Sequence, residues 1–298
     1  MRIKEIYENH YKKLLIIPLL IVVLAIGQII FQYASTGDIV NKGIGLKGGS
    51  TITIEGNINA NNLQTFLKEQ FPQSDITVRA LSSAGKTIGV SIDADAQLKE
   101  ETDALITALQ QGGFITSDTT YSLEVVGSSL GESFFRQIAT ALLIAFLLMA
   151  IVVFCYFRIP IPCLAVILAA FSDIIVTLAI FNMTGIKLNS GGIAAFLMLV
   201  GYSVDTDMLL TSRVLKKIEL PFMERIYGAI ETGLTMTLTT LVVVIIGILF
   251  SKSDVVQQIM LILGIGLLVD MVMTWIQNVG ILRMYFERKD SRRKEMRP

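Results

Sequence analysis

The sequence predicts a polytopic α-helical membrane protein, with six transmembrane helices and one extracytoplasmic α+β domain between the first and second. Three observations lead there. Hydrophobic residues make up 53% of the 298-residue chain and mean hydropathy is +0.64. Six apolar runs (residues 14–31, 138–157, 163–181, 191–210, 234–250 and 259–282) approach the roughly 20 residues that a helix needs to span hydrocarbon. Only the interval 34–133 is long and polar enough to fold in water. The implied divisions are a cytoplasmic segment 1–13, a first helix 14–33, the external domain 34–133, helices two to six over 134–283, and a basic cytoplasmic tail 284–298.

In segment 1–13, Ile3, Ile6, Tyr7 and Tyr11 share one stripe, which suits the inner membrane surface. The first apolar run exceeds the roughly 7–15 residues of a secretory signal core and precedes no small-residue cleavage site, so it reads as an uncleaved anchor. Ser50-Thr51-Ile52-Thr53-Ile54-Glu55 then alternates as a strand. Leu63, Phe66 and Leu67 follow at helical spacing after Asn59, Asn61 or Asn62 as N-cap. Residues 76–81 and 87–92 form a hairpin across Ser82–Lys86. Residues 95–111 give a second helix with Leu98, Leu105, Ile106 and Leu109, stopped by Gly112-Gly113. Residues 121–126 close as a strand. The order β-α-β-β-α-β is that of ferredoxin-like domains, with a further short strand expected near residues 38–44. Twelve acids against seven bases over residues 38–136 argue against a nucleic-acid surface.

Gly43-x-Gly45-x-x-Gly48 matches the dinucleotide-binding fingerprint in letters only, because it follows a membrane span and opens a strand, the reverse of what that motif requires. These glycines, with Gly49 ahead of the domain and Gly127 and Gly131 behind it, read as a tightly turning approach to the domain or as a hinge on which it tilts. No metal ligand set, cofactor motif or catalytic constellation is expected, and the chain does not read as an enzyme.

Basic residues fix the orientation. One set of short segments, including both termini and the 213–225 loop, carries sixteen lysines and arginines; the opposite connections carry Lys187 and Lys252. The bias puts both termini in the cytoplasm and the α+β domain outside. Cys155 and Cys163 then flank a cytoplasmic turn, where a structural disulfide is not expected.

Four carboxylates interrupt the apolar runs: Asp173, Asp205, Asp207 and Asp270. An aspartate near the bilayer centre costs about 2.5–3.5 kcal/mol on insertion scales, so four facing lipid would cost on the order of 10 kcal/mol, as much as a folding stability. They are expected to face a bundle interior and to handle ions or protons; the plain alternative is hydrogen-bonded glue between helices. At about 100° per residue, Asp205 falls on the face of Ser190, Ala194, Met198 and Gly201. Small residues mark helix contact in membranes, so Asp205 is expected inside the bundle. Asp207 lies on another face beside Ser203, Leu199 and Leu210, where snorkelling or pairing with Arg213 is available. Thr232, Thr235, Thr237, Thr239 and Thr240 offer either a hydroxyl path or interhelical glue, and Trp275 lies too deep for an interfacial belt.

At this point the residues carry a resemblance. Val126-Gly127-Ser128-Ser129-Leu130-Gly131 resembles the Val-Gly-Pro-x-Leu-Gly junction of the SecD/SecF protein-export membrane proteins. Gly43-Ile44-Gly45-Leu46-Lys47-Gly48-Gly49-Ser50 is similar to the Gly-Ile-Asp-Phe-x-Gly-Gly-Thr segment of the SecF branch. Ser172-Asp173-Ile174-Ile175-Val176-Thr177 resembles its His-Asp-Val-x-x-Thr, and Thr184–Asn189 running on to Gly201-Tyr202-Ser203-Val204 is similar to the stretch into the fourth span. Three departures mark a divergent, archaeal-type member. The fourth span of that branch reads Gly-Tyr-Ser-x-Asn-Asp-Thr, with its acid at the place of Thr206, whereas here Asp205 and Asp207 flank that place. The arginine that bacterial members carry ahead of the Thr-rich fifth span is missing, its ungapped position falling near Thr232. Asp270 has no counterpart.

The resemblance implies the half-unit architecture of resistance-nodulation-division transporters. It also implies an accessory role in Sec protein export, coupled to a proton or sodium gradient through Asp173, Asp205, Asp207 and Asp270. The implied partners are a SecD-like subunit, the Sec protein-conducting channel, the translocating polypeptide and membrane lipids, with no cofactor and no nucleic acid. Two other readings stand beside it. A stand-alone exporter of lipid or small molecules shares the layout but usually carries a larger external domain. An intramembrane aspartyl protease needs two carboxylates sharing a proton, but its Gly-x-Gly-Asp motif is absent from this chain.

Overall fold

The computed structural model describes residue 7 and residues 10–56, 58–83, 86–116, 119–216, 219–251 and 253–295. A helical turn, α1 (Tyr11–Leu14), leads into α2 (Ile16–Thr36), which Gly37 ends in the left-handed region at φ 77° with its N–H on Tyr33 O. The turn α3 (Ile44–Lys47) opens the soluble domain. It is followed by β1 (Gly49–Glu55), α4 (Ala60–Gln70), β2 (Thr77–Ser83), β3 (Lys86–Ala94), α5 (Lys99–Gln111) and β4 (Tyr121–Val126). The membrane region continues with α6 (Ser128–Phe157), α7 (Pro160–Met183), α8 (Ser190–Lys216) and α9 (Phe222–Phe250). The last span is α10 (Asp254–Val272), a π-helix (Met273–Asn278) and α11 (Val279–Glu295).

The soluble domain is the expected β-α-β-β-α-β unit. Its sheet runs β2-β3-β1-β4 with every neighbour antiparallel, and Ile52 pairs with Ile92 on one side and Leu123 on the other. Both helices cover one face, where Ile52, Ile54, Val90 and Ile92 meet Leu63, Leu67, Leu105 and Leu109 in a sealed core. Asn59 is the N-cap of α4, its side chain accepting from the N–H groups of Asn61 and Asn62. Helix α5 starts later than its pattern suggests, at Lys99, because Glu101 Oε2 turns back to accept from the N–H of Gln97 and Leu98. The short strand expected near residues 38–44 does not form. Lys42 makes one parallel bridge to Leu188, and Ile44 already begins α3.

Six helices are long and apolar enough to cross a membrane. They sort into two shells. More than half of the apolar stretch of α7, of α8 and of the last span is buried, against fewer than a fifth for α2, α6 and α9. The domain sits on this bundle through short contacts: Gly43 N–H donates to Leu188 O (2.7 Å), Leu188 N–H to Asn41 O (2.6 Å), and Lys187 Nζ pairs with Asp75 Oδ2 (3.0 Å).

One terminal expectation changes. Tyr7 and Tyr11 dock on the last span and not on the membrane surface. Tyr7 Oη donates to Trp275 O (2.7 Å), Tyr11 Oη donates to Glu287 Oε2 (2.5 Å), and burial pushes the Tyr7 phenol well above its ordinary range. The basic tail continues as helix to Glu295. The stripe residues Ile3 and Ile6, the hairpin tip 84–85, Lys252 and residues 296–298 lie outside the described residues.

Candidate functional site

The three inner helices each contribute one fully buried carboxyl group: Asp173 from α7, Asp207 from α8 and Asp270 from α10. Asp173 Oδ2 accepts from Ser203 Oγ at 2.5 Å, one helical turn before Asp207 on α8. Asp270 lies near Asp173, Ser203 and Thr206. Thr274 Oγ1 stands 3.0 Å from Asp270 Oδ1 and 3.0 Å from Asp207 Oδ1, and Asn278 Nδ2 donates to Asp207 Oδ1 at 2.6 Å. The result is a strung row, Asp173–Asp270–Thr274–Asp207–Asn278. Among the described residues, no three His, Cys, Asp or Glu side chains converge as metal ligands, and no lysine or arginine pairs with these acids.

Such a row is expensive unless something titrates or moves through it. Asp173 Oδ1 and Asp207 Oδ2 have no hydrogen-bond partner among the described residues, and neither do the buried hydroxyls of Thr177 and Thr211, one turn beyond each acid. Unpaired buried polar atoms are uncommon in folded proteins and cost about 1–3 kcal/mol each. Chemically the arrangement can hold, exchange and pass protons between carboxyl groups that water does not reach.

Asp205 is not part of it. It is exposed on the outer face of α8, together with Ser190, Ala194, Met198 and Gly201, so the expectation that this face points into the bundle is corrected. Among the described residues, no helix covers this small-residue stripe. The bundle instead takes the face bearing Leu199, Ser203, Asp207 and Leu210. Asp207 neither snorkels nor pairs with Arg213. Arg213 crosses to α9, donating from Nη1 to Gly228 O (2.5 Å) and from Nη2 to Thr232 Oγ1 (2.8 Å). The threonines of α9 form no path. Thr232, Thr235, Thr239 and Thr240 donate to carbonyls of their own helix.

The glycines flanking the domain are packing points. A Cβ on Gly48 would lie 2.5 Å from Ser128 Cα, and one on Gly49 2.4 Å from Ala94 O. One on Gly131 would lie 2.9 Å from Gly48 N, and one on Gly43 2.9 Å from Leu188 O. Only Gly45 and Gly127 have open space around them. The hinge expectation for Gly43, Gly48, Gly49 and Gly131 is therefore corrected to a clamp, in which missing side chains let α3 seat against the start of α6.

Sequence reasoning missed Ser203, Thr274 and Asn278. A signal was present, since Asp270, Thr274 and Asn278 recur every four residues inside an apolar run. The π-helix uses that spacing. In an α-helix residues four apart advance past a full turn, whereas in the wider π turn they fall short of one. The two offsets oppose, which holds all three groups on one line facing α8.

Six spans in two shells, a split α+β domain on the first loop and a buried carboxyl row define a polytopic membrane protein with one external domain. The comparisons narrow this. The description "Protein export membrane protein SecD/SecF, C-terminal" matches residues 108–288. The protein-export membrane protein SecF of Pyrococcus furiosus is 38% identical over 295 residues, covering 98% of this chain and 96% of that one. That of Methanothermobacter thermautotrophicus is 37% identical, covering 94% of each. The crystal structure of SecDF, a translocon-associated membrane protein from Thermus thermophilus, superposes with a TM-score of 0.74 at 21% identity. It covers 94% of this chain, which spans 38% of that longer one. The chain belongs to the SecD/SecF family of protein-export membrane proteins, in its SecF branch, and is a multi-pass membrane component that assists Sec protein export.

Proposed function

We propose that this chain is one half of a heteromeric export unit, in which ion movement through Asp173, Asp270 and Asp207 drives motion of the external domain against a translocating polypeptide. The observation that carries the reading is the carboxyl row itself, with one acid from each inner helix, all three buried and, among the described residues, none paired with a cation. Each protonation state favours a different packing of α7, α8 and the last span, because adding or removing a proton decides which neighbours donate and which accept. The external domain rests on the α7–α8 connection through Gly43, Leu188 and the Lys187–Asp75 pair, so helix rearrangement reaches it through a short, stiff link.

A SecD-like subunit supplies the other half, covering the outer face of α8 at Ala194, Met198 and Asp205, and through it the unit reaches the Sec channel. The basic asymmetry sets both termini in the cytoplasm and the domain outside. The test is isosteric neutralisation. Asp173→Asn, Asp207→Asn and Asp270→Asn keep shape and lose titration, so each should assemble with its partner yet lose gradient-stimulated export of a defined secretory substrate in sealed vesicles. A folded triple variant that exports at the wild-type rate under a gradient refutes the coupling.

A further inference from the structure

We infer that Thr274 is a proton relay between Asp270 and Asp207, the residue that joins the carboxyl row into one path for protons. The inference rests on the ion-coupling reading above and deepens it. The carrying observation is that a single hydroxyl lies 3.0 Å from the nearest oxygen of each of two buried carboxyl groups. A hydroxyl has one proton to donate and lone pairs to accept. It therefore cannot donate to both acids at once. When Asp207 is ionised, Thr274 donates to its Oδ1 and accepts from a protonated Asp270 Oδ1. Transfer then consists of two coupled hops. The Thr274 hydrogen passes to Asp207 as the Asp270 hydrogen passes to Thr274 Oγ1. One O–H bond breaks and one forms at the threonine, which ends unchanged, and one proton has moved from Asp270 to Asp207.

The surroundings lay this step along the bundle. Helix α8 carries Ser203 and Asp207 one turn apart, about 6 Å along the axis, with Asp173 and Asp270 at the level of Ser203 and Asn278 beyond them beside Asp207. Because α8 enters the bundle from the domain side at Ser190, the row descends from Asp173 and Asp270 through Thr274 to Asp207 on the far side. The groups that touch the acids, Ser203, Thr274 and Asn278, can each donate to a carboxylate oxygen. The charged groups facing Thr274 are Asp207 from α8 and Asp270 from its own span, with Asp173 of α7 behind Asp270, while Arg213 is held by Gly228 and Thr232.

The test uses the full chain with its partner subunit in liposomes containing a trapped pH dye and given an imposed proton gradient. Thr274→Val keeps the branched shape and deletes the hydroxyl, and should lower proton influx at least tenfold. Thr274→Ser keeps the hydroxyl and should retain at least half of it, a rescue that a packing role would not produce. If the Val variant does not assemble, Thr274→Ala and Thr274→Ser carry the comparison. Influx in the Val or Ala variant equal to wild type, with Asp207→Asn inactive, overturns the relay while leaving ion coupling standing. Unchanged influx in Asp207→Asn overturns the coupling reading and the relay with it. Sodium influx in place of proton influx overturns the relay.

Discussion

Gly131→Ala tests whether the glycines at the foot of the external domain are hinges or packing points. The added Cβ would lie 2.9 Å from Gly48 N, 3.0 Å from Leu46 C and 3.1 Å from Lys47 C. All three are backbone atoms, so no side chain can swing aside, and α3 must lift off α6 by several tenths of an ångström. Overpacking of this kind costs about 1–3 kcal/mol. At roughly 2–4 °C per kcal/mol for a chain of this size, the expected loss of Tm is about 2–12 °C. Gly45→Ala is the control, because nothing stands within 4 Å of its Cβ and its φ is compatible with a side chain. There the unfolded chain loses freedom and stability should stay level or rise by up to about 1 kcal/mol. Thermal unfolding of the detergent-purified complex, followed by size-exclusion chromatography, reads both variants. If Gly131→Ala melts with the wild type but exports poorly, the glycine acts through flexibility and the clamp is wrong.

The other predictions are more direct. In a background with Cys155 and Cys163 changed to serine, an impermeant maleimide added outside sealed cells should label Asn62→Cys and leave Glu219→Cys unmodified; the reverse pattern would overturn the orientation. Ala194→Cys and Met198→Cys should form disulfides or bifunctional-reagent crosslinks to the SecD-like partner in native membranes, and a functional monomer without either crosslink would sink the heteromer. Asp75→Asn removes the exposed pair with Lys187, which should cost less than about 1 kcal/mol, with the difference shrinking in high salt.

Much of the fold is legible because solvent imposes it. Hydrocarbon demands unbroken apolar runs, and the α+β domain repeats period-two and helical patterns against one core, so Leu63, Leu67, Leu105 and Leu109 reveal their partners before any strand is paired. Features set by contact between distant segments were not legible. Lys42 could have extended a strand by its own pattern, but Leu188 holds it in a single bridge and Gly43 turns the chain into α3. The clamp at Gly48 and Gly131 was visible only as glycines, since packing and flexibility write the same letter. The π-helix was likewise hidden, because no residue type in Met273–Asn278 demands it.

The acids show the same limit and what lies past it. A helical wheel sorts α8 into a small-residue face bearing Asp205 and a larger face bearing Asp207, but it cannot say which face this chain fills. Folded alone, the chain buries Asp207 and leaves Asp205 bare, five residues inside the apolar run that ends at Leu210 and hence about 8 Å along the axis. A short aspartate side chain cannot snorkel over that distance as lysine does. Left against lipid there, its charge would cost a few kcal/mol. The residues around it, Ser190, Ala194 and Gly201, are those that let a second backbone approach closely enough to solvate it with protein dipoles. Asp205 therefore argues for a neighbouring subunit more strongly than a buried acid would. Asp207 has Thr274 and Asn278 as partners in its burial, whereas nothing among the described residues accounts for Asp205.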